Sequence, residues 1–370
     1  MKIEELTKPG IRTIQAYIPG DAAESVRPGV TEILKLASNE NQLGTSPKAL
    51  AAMQEAIGKS NIYPDAFGEE LRKKIGIKFG FGDDQPENHV IVSAGASAGT
   101  SLLCDVFINP GDEILYCDPT FSAAASAGKR HGSISVPVPL TPDLKFDLKA
   151  LRAAVTDKTK ILNICNPNNP TGTVVDPQEL REFIHSIPEH VIILVDEAYI
   201  EFSDDPVGNS MLSEIAEGVN VIIMRTFSKL YGLAGVRVGY MITNKEIQGI
   251  LQKSSGVFAV SRVALAAATA ALEDDEFVAK TKKSVSAGRE YLAKEFTRLG
   301  CKVYNSSTNF IYIDTGYNTA KLAEACKERG LIIRGNYEFS RITVGTEYQN
   351  RRIVEIVEEV LASGEVPRVK

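Results

Sequence analysis

The sequence predicts an α/β fold, with a mostly parallel sheet covered by helices on both faces and a smaller α/β domain at the C-terminal end. Two observations carry this. From about residue 68, short apolar runs rich in β-branched residues alternate with helical patterns, each bounded by turn residues. A chain of 370 residues also exceeds what one core ordinarily holds.

The first forty-odd residues are irregular, punctuated by Pro9-Gly10, Pro19-Gly20 and Pro28-Gly29, and read as an arm able to wrap a partner subunit. Ser46 and Pro47 suit the N-cap and first position of a helix over Lys48–Ile57. Helix Glu69–Phe79 leads to strand His89–Ser93, helix Ala98–Ile108, and strands Glu113–Cys117 and Ser133–Pro137. Helix Asp147–Val155, strand Lys160–Cys165, helix Pro177–Ser186, and strands Val191–Val195 and Val221–Met224 follow. A long, mostly helical region begins after Ala259. Strand Phe310–Ile313, helix Thr319–Arg329, strands Leu331–Ile333 and Arg341–Val344, and helix Asn350–Leu361 then form the smaller unit. The expected organisation is an N-terminal arm and small-domain segment over 1–45, a large domain over 46–270 and a small C-terminal domain over 271–370.

A formal net charge of −6 argues against a broad nucleic-acid-binding face. No run reaches the ~18 apolar residues of a membrane span, and the polar start MKIEELTKPG lacks an export-type apolar core. Cys104, Cys117, Cys165, Cys301 and Cys326 form no C-x-x-C pair, so neither a metal site nor a disulfide framework is expected. These features point to a cytoplasmic protein.

Ligands of doubly wound sheets gather beyond the carboxyl ends of the strands. After Val90–Val92 comes Ser93-Ala94-Gly95-Ala96-Ser97-Ala98-Gly99, where amides opening a helix can face a phosphate. It is neither G-x-G-x-x-G nor a P-loop, and alone it reads more readily as a tight turn packed with small residues. Asn166-Pro167-Asn168-Asn169-Pro170-Thr171-Gly172 follows the next strand and is either a plain loop or a rigid set of amides for a ligand oxygen. Asp196-Glu197-Ala198-Tyr199 places a carboxylate directly after an apolar strand, where burial demands a cation from a ligand or from a structural ion pair. After Val221–Met224, Lys229 lies among apolar and small residues with Arg237 beyond it, a setting that depresses an amine pKa and makes a nucleophile. Thr226, Ser228 and Arg237 suit a phosphate. The four segments together ask for one ligand with a phosphate, a basic ring nitrogen for Asp196, an oxyanion near Asn169 and Tyr199, and an aldehyde for Lys229. Pyridoxal 5′-phosphate has all four. A nicotinamide enzyme is disfavoured because no strand is followed by G-x-G-x-x-G.

Further segments extend this pattern: Leu36-Ala37-Ser38-Asn39-Glu40-Asn41, Tyr63-Pro64-Asp65, Pro119-Thr120-Phe121, Asn309-Phe310 and Arg341-Ile342-Thr343-Val344-Gly345-Thr346. With them the chain resembles the fold-type I pyridoxal-phosphate aminotransferases and, within that group, the histidinol-phosphate aminotransferases. The resemblance implies that Lys229 condenses with the cofactor aldehyde and then moves the proton of the reaction. It implies that Asp196 keeps the ring nitrogen protonated, that Asn169 and Tyr199 hold the ring oxygen, and that Phe121 stacks on the ring. The backbone N–H groups of Ala96 and Ser97, with Thr226, Ser228 and Arg237, take the phosphate. Tyr63 reaches it from the neighbouring subunit, which makes a homodimer with shared sites obligatory. Arg341 binds the anionic end of the substrate, and Tyr17, Asn41 and Arg334 complete the substrate side.

The implied reaction exchanges an amine donor with a 2-oxo acid, histidinol phosphate with 2-oxoglutarate being favoured. An aromatic amino-acid aminotransferase is the close alternative, and a threonine-phosphate decarboxylase or a non-catalytic module of the same fold is more distant. The chain departs from the family in Ala123-Ala124-Ala125, in lacking an acidic residue at Ser97-Ala98, and in a shorter loop between Arg334 and Arg341. The last departure is expected to alter the substrate entrance.

Overall fold

The computed structural model describes residues 3–12, 14, 29–82 and 84–369. In chain order the elements are α1 (Pro9–Arg12), β1 (Leu34–Lys35), α2 (Pro47–Ile57), α3 (Glu69–Lys78), β2 (Val90–Ser93), α4 (Ala96–Phe107), β3 (Glu113–Asp118) and α5 (Ala123–Lys129). Then come β4 (Ile134–Pro139), α6 (Leu148–Ala154), β5 (Thr159–Cys165), α7 (Pro177–Ser186), β6 (Ile192–Asp196), β7 (Val221–Thr226), β8 (Gly239–Thr243), α8 (Lys245–Ser254) and α9 (Arg262–Ala271). The last part holds α10 (Asp275–Arg298), β9 (Lys302–Tyr304), β10 (Phe310–Asp314), α11 (Thr319–Glu328), β11 (Leu331–Ile332), β12 (Ser340–Thr343) and α12 (Glu347–Ser363).

The central sheet has seven strands in the order β2-β8-β7-β6-β5-β3-β4. Its four inner pairings from β7 to β4 are parallel, and β8 runs antiparallel to both β7 and β2. Alternation along the buried strands divides their side chains between two faces: Leu162, Ile164, Ile193 and Val195 pack on one, Ile161, Ile192, Leu194 and Ile222 on the other. That is why these runs read as continuously apolar. Ser46 caps α2 by accepting from the Ala49 N–H, as its place before Pro47 predicts.

A second core surrounds the three-stranded antiparallel sheet β12-β10-β9 and the parallel pair β1-β11, covered by α10, α11 and α12. Leu34 and Leu36 belong to this core, and β1 pairs with β11 from Leu34↔Leu331 to Lys35↔Ile332. The chain passes between the cores along α10. Val278 and Val285 pack against the first, while Leu292 and Phe296 lie in the second.

Several elements differ from expectation. Helix α4 begins at Ala96, two positions before the predicted start, so Ala96 and Ser97 open the helix itself. Strand β8 has no counterpart in the sequence pattern, since it is short and opens on Gly239, which weakens a strand pattern. Helix α5 was also missed: Ala123–Lys129 is mostly small residues with no apolar period. The described start of the arm lies against its own chain, with Gly10 so near α5 that a Cβ there would stand 1.9 Å from the Lys129 carbonyl oxygen. Tyr17 lies outside the described residues. All five cysteines are buried free thiols. Among the described residues, no helix is long and apolar enough to cross a membrane.

Candidate active site

The anion end of the site is built where β2, β7 and β8 meet the start of α4. Gly95 has φ +86°, a conformation open to glycine, and gives α4 no side-chain cap. The Ala98 and Gly99 N–H groups return to the Gly95 carbonyl at 3.1 and 3.3 Å. The amides of Ala96 and Ser97 thus stand at an uncapped helix N-terminus, where an anion is favoured. The Arg237 guanidinium lies directly against Gly95: a Cβ there would be 2.4 Å from its Nη2. Arg237 has φ +63° and its Nη1 donates to Ala234 O at 2.8 Å. Thr226 and Ser228 are buried beside one another, with Thr226 Oγ1 donating to Ser228 Oγ at 2.9 Å and accepting from the Ser228 N–H at 3.1 Å.

Asp196 ends β6 and is buried. Its Oδ1 accepts from the Ala198 N–H at 3.0 Å, and among the described residues no cation forms an ion pair with it. Burial, reinforced by Glu197, pushes its pKa up to about 6. The adjacent Glu197 is the one that takes the structural ion pair. It accepts from Arg225 Nε at 3.0 Å and Nη2 at 2.7 Å, and from Ser210 Oγ at 2.8 Å. Lys229 is half-buried, with Nζ 3.3 Å from Ser38 O and 5.7 Å from the Tyr199 ring centroid. Burial lowers its pKa to about 8, helped first by Arg341 and then by Arg237, against Glu40 and Asp196. The depressed amine follows the expectation, but burial and Arg341 outweigh Arg237 in producing it.

Of the three amides beyond β5, two hold the loop. Asn166 Oδ1 accepts from the Val175 N–H at 3.0 Å, and Asn168 bonds Thr120, Pro119 and Thr171. Asn169 is left to face the site, its Oδ1 accepting from Arg341 Nη1. Arg341 also donates Nη2 to Ala37 O at 2.6 Å and lies 5.3 Å from the Phe310 ring and 5.8 Å from that of Tyr337. Phe121, on the loop tied to Asn168 through Thr120, is exposed. Tyr199 is buried, with its ring edge-on to Phe310 at 5.2 Å.

The substrate-side residues are placed differently. Arg334 pairs with Arg341 through its backbone, N–H to O in both directions at 3.0 and 3.1 Å, so the short loop closes as a hairpin. Asn41 is occupied within the chain. Its Nδ2 donates to Leu230 O at 2.9 Å and its Oδ1 accepts from the Leu43 N–H at 3.0 Å, which ties the segment after Lys229. Tyr63 is 76% exposed and stacked on Phe258 at 4.7 Å. Asn39, singled out only as part of a motif, is fully buried and donates Nδ2 to the Tyr199 oxygen at 2.9 Å. It follows no strand of the central sheet, so a search of strand ends passes it by. The usable signal is the Asn-Glu-Asn run, because Asn enters left-handed backbone readily.

These residues fit pyridoxal 5′-phosphate. The unpaired carboxylate suits a protonated ring nitrogen, the uncapped helix with its hydroxyls and Arg237 suits a phosphate, and the depressed amine suits an aldehyde.

Residues 31–357 match the family described as aminotransferase class I and II. The histidinol-phosphate aminotransferase of Moorella thermoacetica is 38% identical over 95% of this chain and 92% of its own length. That of Akkermansia muciniphila is 37% identical over 98% of this chain and 100% of its own. The fold is shared with the histidinol-phosphate aminotransferase from Sinorhizobium meliloti, solved in complex with pyridoxal-5′-phosphate, at a TM-score of 0.87 and 24% identity over 96% of this chain and 97% of that one. A Thermus thermophilus aspartate aminotransferase double mutant also shares it, at a TM-score of 0.80 and 22% identity over 95% of this chain and 99% of that one. With a profile match over most of its length and relatives above a third identical end to end, the chain belongs to the class I and II aminotransferases.

Proposed function

We propose that the chain is a pyridoxal-phosphate-dependent aminotransferase exchanging the amino group of histidinol phosphate with 2-oxoglutarate. The observation that carries the cofactor assignment is Asp196, a buried carboxylate that pairs with no cation among the described residues. The donor is supported by the histidinol-phosphate aminotransferases that match the whole chain. When bound, pyridoxal phosphate supplies an aldehyde that captures amines and a ring that withdraws electrons from the substrate carbon.

The chain's own residues do the rest. Lys229, with a pKa of about 8, is about one-tenth neutral at pH 7, far more than an ordinary lysine, and can take and return a proton at Nζ. Asp196 holds the ring nitrogen in its cationic form, since a cation beside a buried carboxylate and the carboxylate itself stabilise one another's charge. Ala96, Ser97, Thr226, Ser228 and Arg237 anchor the phosphate, and Phe121 covers the ring. Arg341 offers a planar fork to the phosphate of one substrate and the carboxylate of the other. Asn169 couples that fork to the ring side of the site.

Tyr63, Ile62, Val257 and Phe258 are exposed apolar or aromatic residues. A second copy of the chain, bringing its own Tyr63 to this site, would cover them and complete a cytoplasmic homodimer. An aromatic donor is the second reading, favoured by the aromatic group Tyr304, Tyr312, Tyr337 and Phe339 beside Arg341.

The test presents histidinol phosphate, phenylalanine, tyrosine and threonine phosphate in parallel, each with 2-oxoglutarate, and measures glutamate. Histidinol phosphate should give the highest kcat/KM. No glutamate from it would overturn the assignment, and a higher value for phenylalanine or tyrosine would establish the second reading.

A further inference from the structure

We infer that Asn39 is a positioning residue for the reaction: its amide donates to the Tyr199 oxygen and so turns the Tyr199 hydroxyl hydrogen toward the ring oxygen of the cofactor. The inference rests on the reading that Tyr199 faces that oxygen.

Asn39 has φ +55°, a left-handed state uncommon outside glycine but open to Asn, and its surroundings hold it there. Four bonds enforce it here. The Asn39 N–H donates to Thr343 Oγ1 at 2.9 Å, Thr343 Oγ1 donates to Asn39 Oδ1 at 3.2 Å, and Asn309 Nδ2 donates to Asn39 O at 3.1 Å. The fourth is Asn39 Nδ2 to Tyr199 at 2.9 Å. Thr343 also orients the amide. Its hydroxyl accepts the backbone N–H, so its own hydrogen goes to Oδ1, and Nδ2 is left toward Tyr199.

A phenol has one hydrogen to give. Asn39 occupies the Tyr199 oxygen as an acceptor, and among the described residues nothing accepts its hydrogen in return. Tyr199 is only 4% exposed, so a buried donor has been left for a group that the described residues do not supply. The phenolate-like ring oxygen of the cofactor is such an acceptor. A bond received from Asn39 polarises the Tyr199 O–H and strengthens the bond it gives onward. The charged or titratable groups around Tyr199 are Arg341, Cys165, Asp196 and Lys229. None of them donates to its oxygen.

The chain of donation stabilises the deprotonated cofactor, so breaking it favours the protonated form. In Asn39→Gly, which keeps a positive φ without strain, the pH midpoint of the bound cofactor's visible absorbance should rise by a few tenths of a unit and by less than the roughly one unit that losing a whole net hydrogen bond produces. Asn39→Asp, which also tolerates this backbone but has no amide hydrogen to give, should move it in the same direction. The effect should vanish when Asn39→Gly is placed in a Tyr199→Phe background, because Asn39 then has nothing to act through.

An unmoved midpoint in both Asn39 variants would overturn the inference, as would an equal shift in the Tyr199→Phe background. If Tyr199→Phe alone left the midpoint in place while Lys229 still bound the cofactor, the reading of Tyr199 would fall and the role of Asn39 with it. A shift in Tyr199→Phe without one in Asn39→Gly would remove Asn39 alone.

Discussion

Asp196 and Glu197 are neighbours in sequence, both buried, and they meet burial in opposite ways. Glu197 accepts two bonds from Arg225, whereas Asp196 has one backbone N–H and stands well above its usual range. This gives a stability test on the cofactor-free protein. The folded Asp196 releases its proton at about 6 and the unfolded one at 3.8. The folded state therefore holds the extra proton between those values, and stability falls as pH rises through that window. Above it the ionised group costs on the order of 3 kcal/mol. Asp196→Asn should raise apo stability by that order at pH 8 and by about half as much at pH 5, read by urea unfolding, while cofactor affinity drops. Lys229 adds a kinetic counterpart: loading of the cofactor requires the neutral amine, so its rate should climb about tenfold per unit below pH 7 and level off above about 8. Stopped-flow absorbance measures it. Lys229, Asp196 and Tyr199 stand out in the sequence as candidates because each follows a strand in a pattern that a ligand or a buried partner explains. That Glu197 takes the ion pair while Asp196 has none among the described residues was not legible, since adjacent carboxylates look alike until Arg225 is placed.

The junction of β2, α4 and β8 explains why the proposed phosphate end would depend on glycine. Gly95 combines a positive φ with the Arg237 guanidinium in the space a side chain would take. Gly95→Ala should strain the turn by about 1 kcal/mol or more and push Arg237 off the anion. Losing a charge-assisted contact worth ~1.5–3 kcal/mol weakens cofactor binding roughly tenfold or more. Equilibrium dialysis against pyridoxal phosphate measures this, and wild-type affinity would show that the phosphate lies elsewhere. The start of α4 and the existence of β8 were the least readable parts of this junction. Small residues carry little periodicity, and β8 declares itself only through antiparallel pairing with strands on both sides.

At the level of the complete chain, the alternation of strands and helices made the parallel sheet and the second α/β unit apparent. The passage between them was not apparent, because α10 contributes Val285 to one core and Leu292 to the other without a break. The exposed Tyr63 leads to a complementation test of the proposed dimer. Mixing inactive Lys229→Ala and Tyr63→Ala chains under conditions that exchange subunits should restore activity, since a hybrid holds one site with both Lys229 and Tyr63 intact. If the mixture stayed as inactive as its components, Tyr63 would not act across subunits.

The pairing of β1 with β11 also bears on how the molecule is made. Leu34 and Leu36 emerge early during translation, but the surface that buries them includes Leu331, which leaves the ribosome some three hundred residues later. Until then these leucines remain uncovered on a nascent polypeptide whose central sheet can already form, and a chaperone that shields them during this interval should raise the yield of native protein.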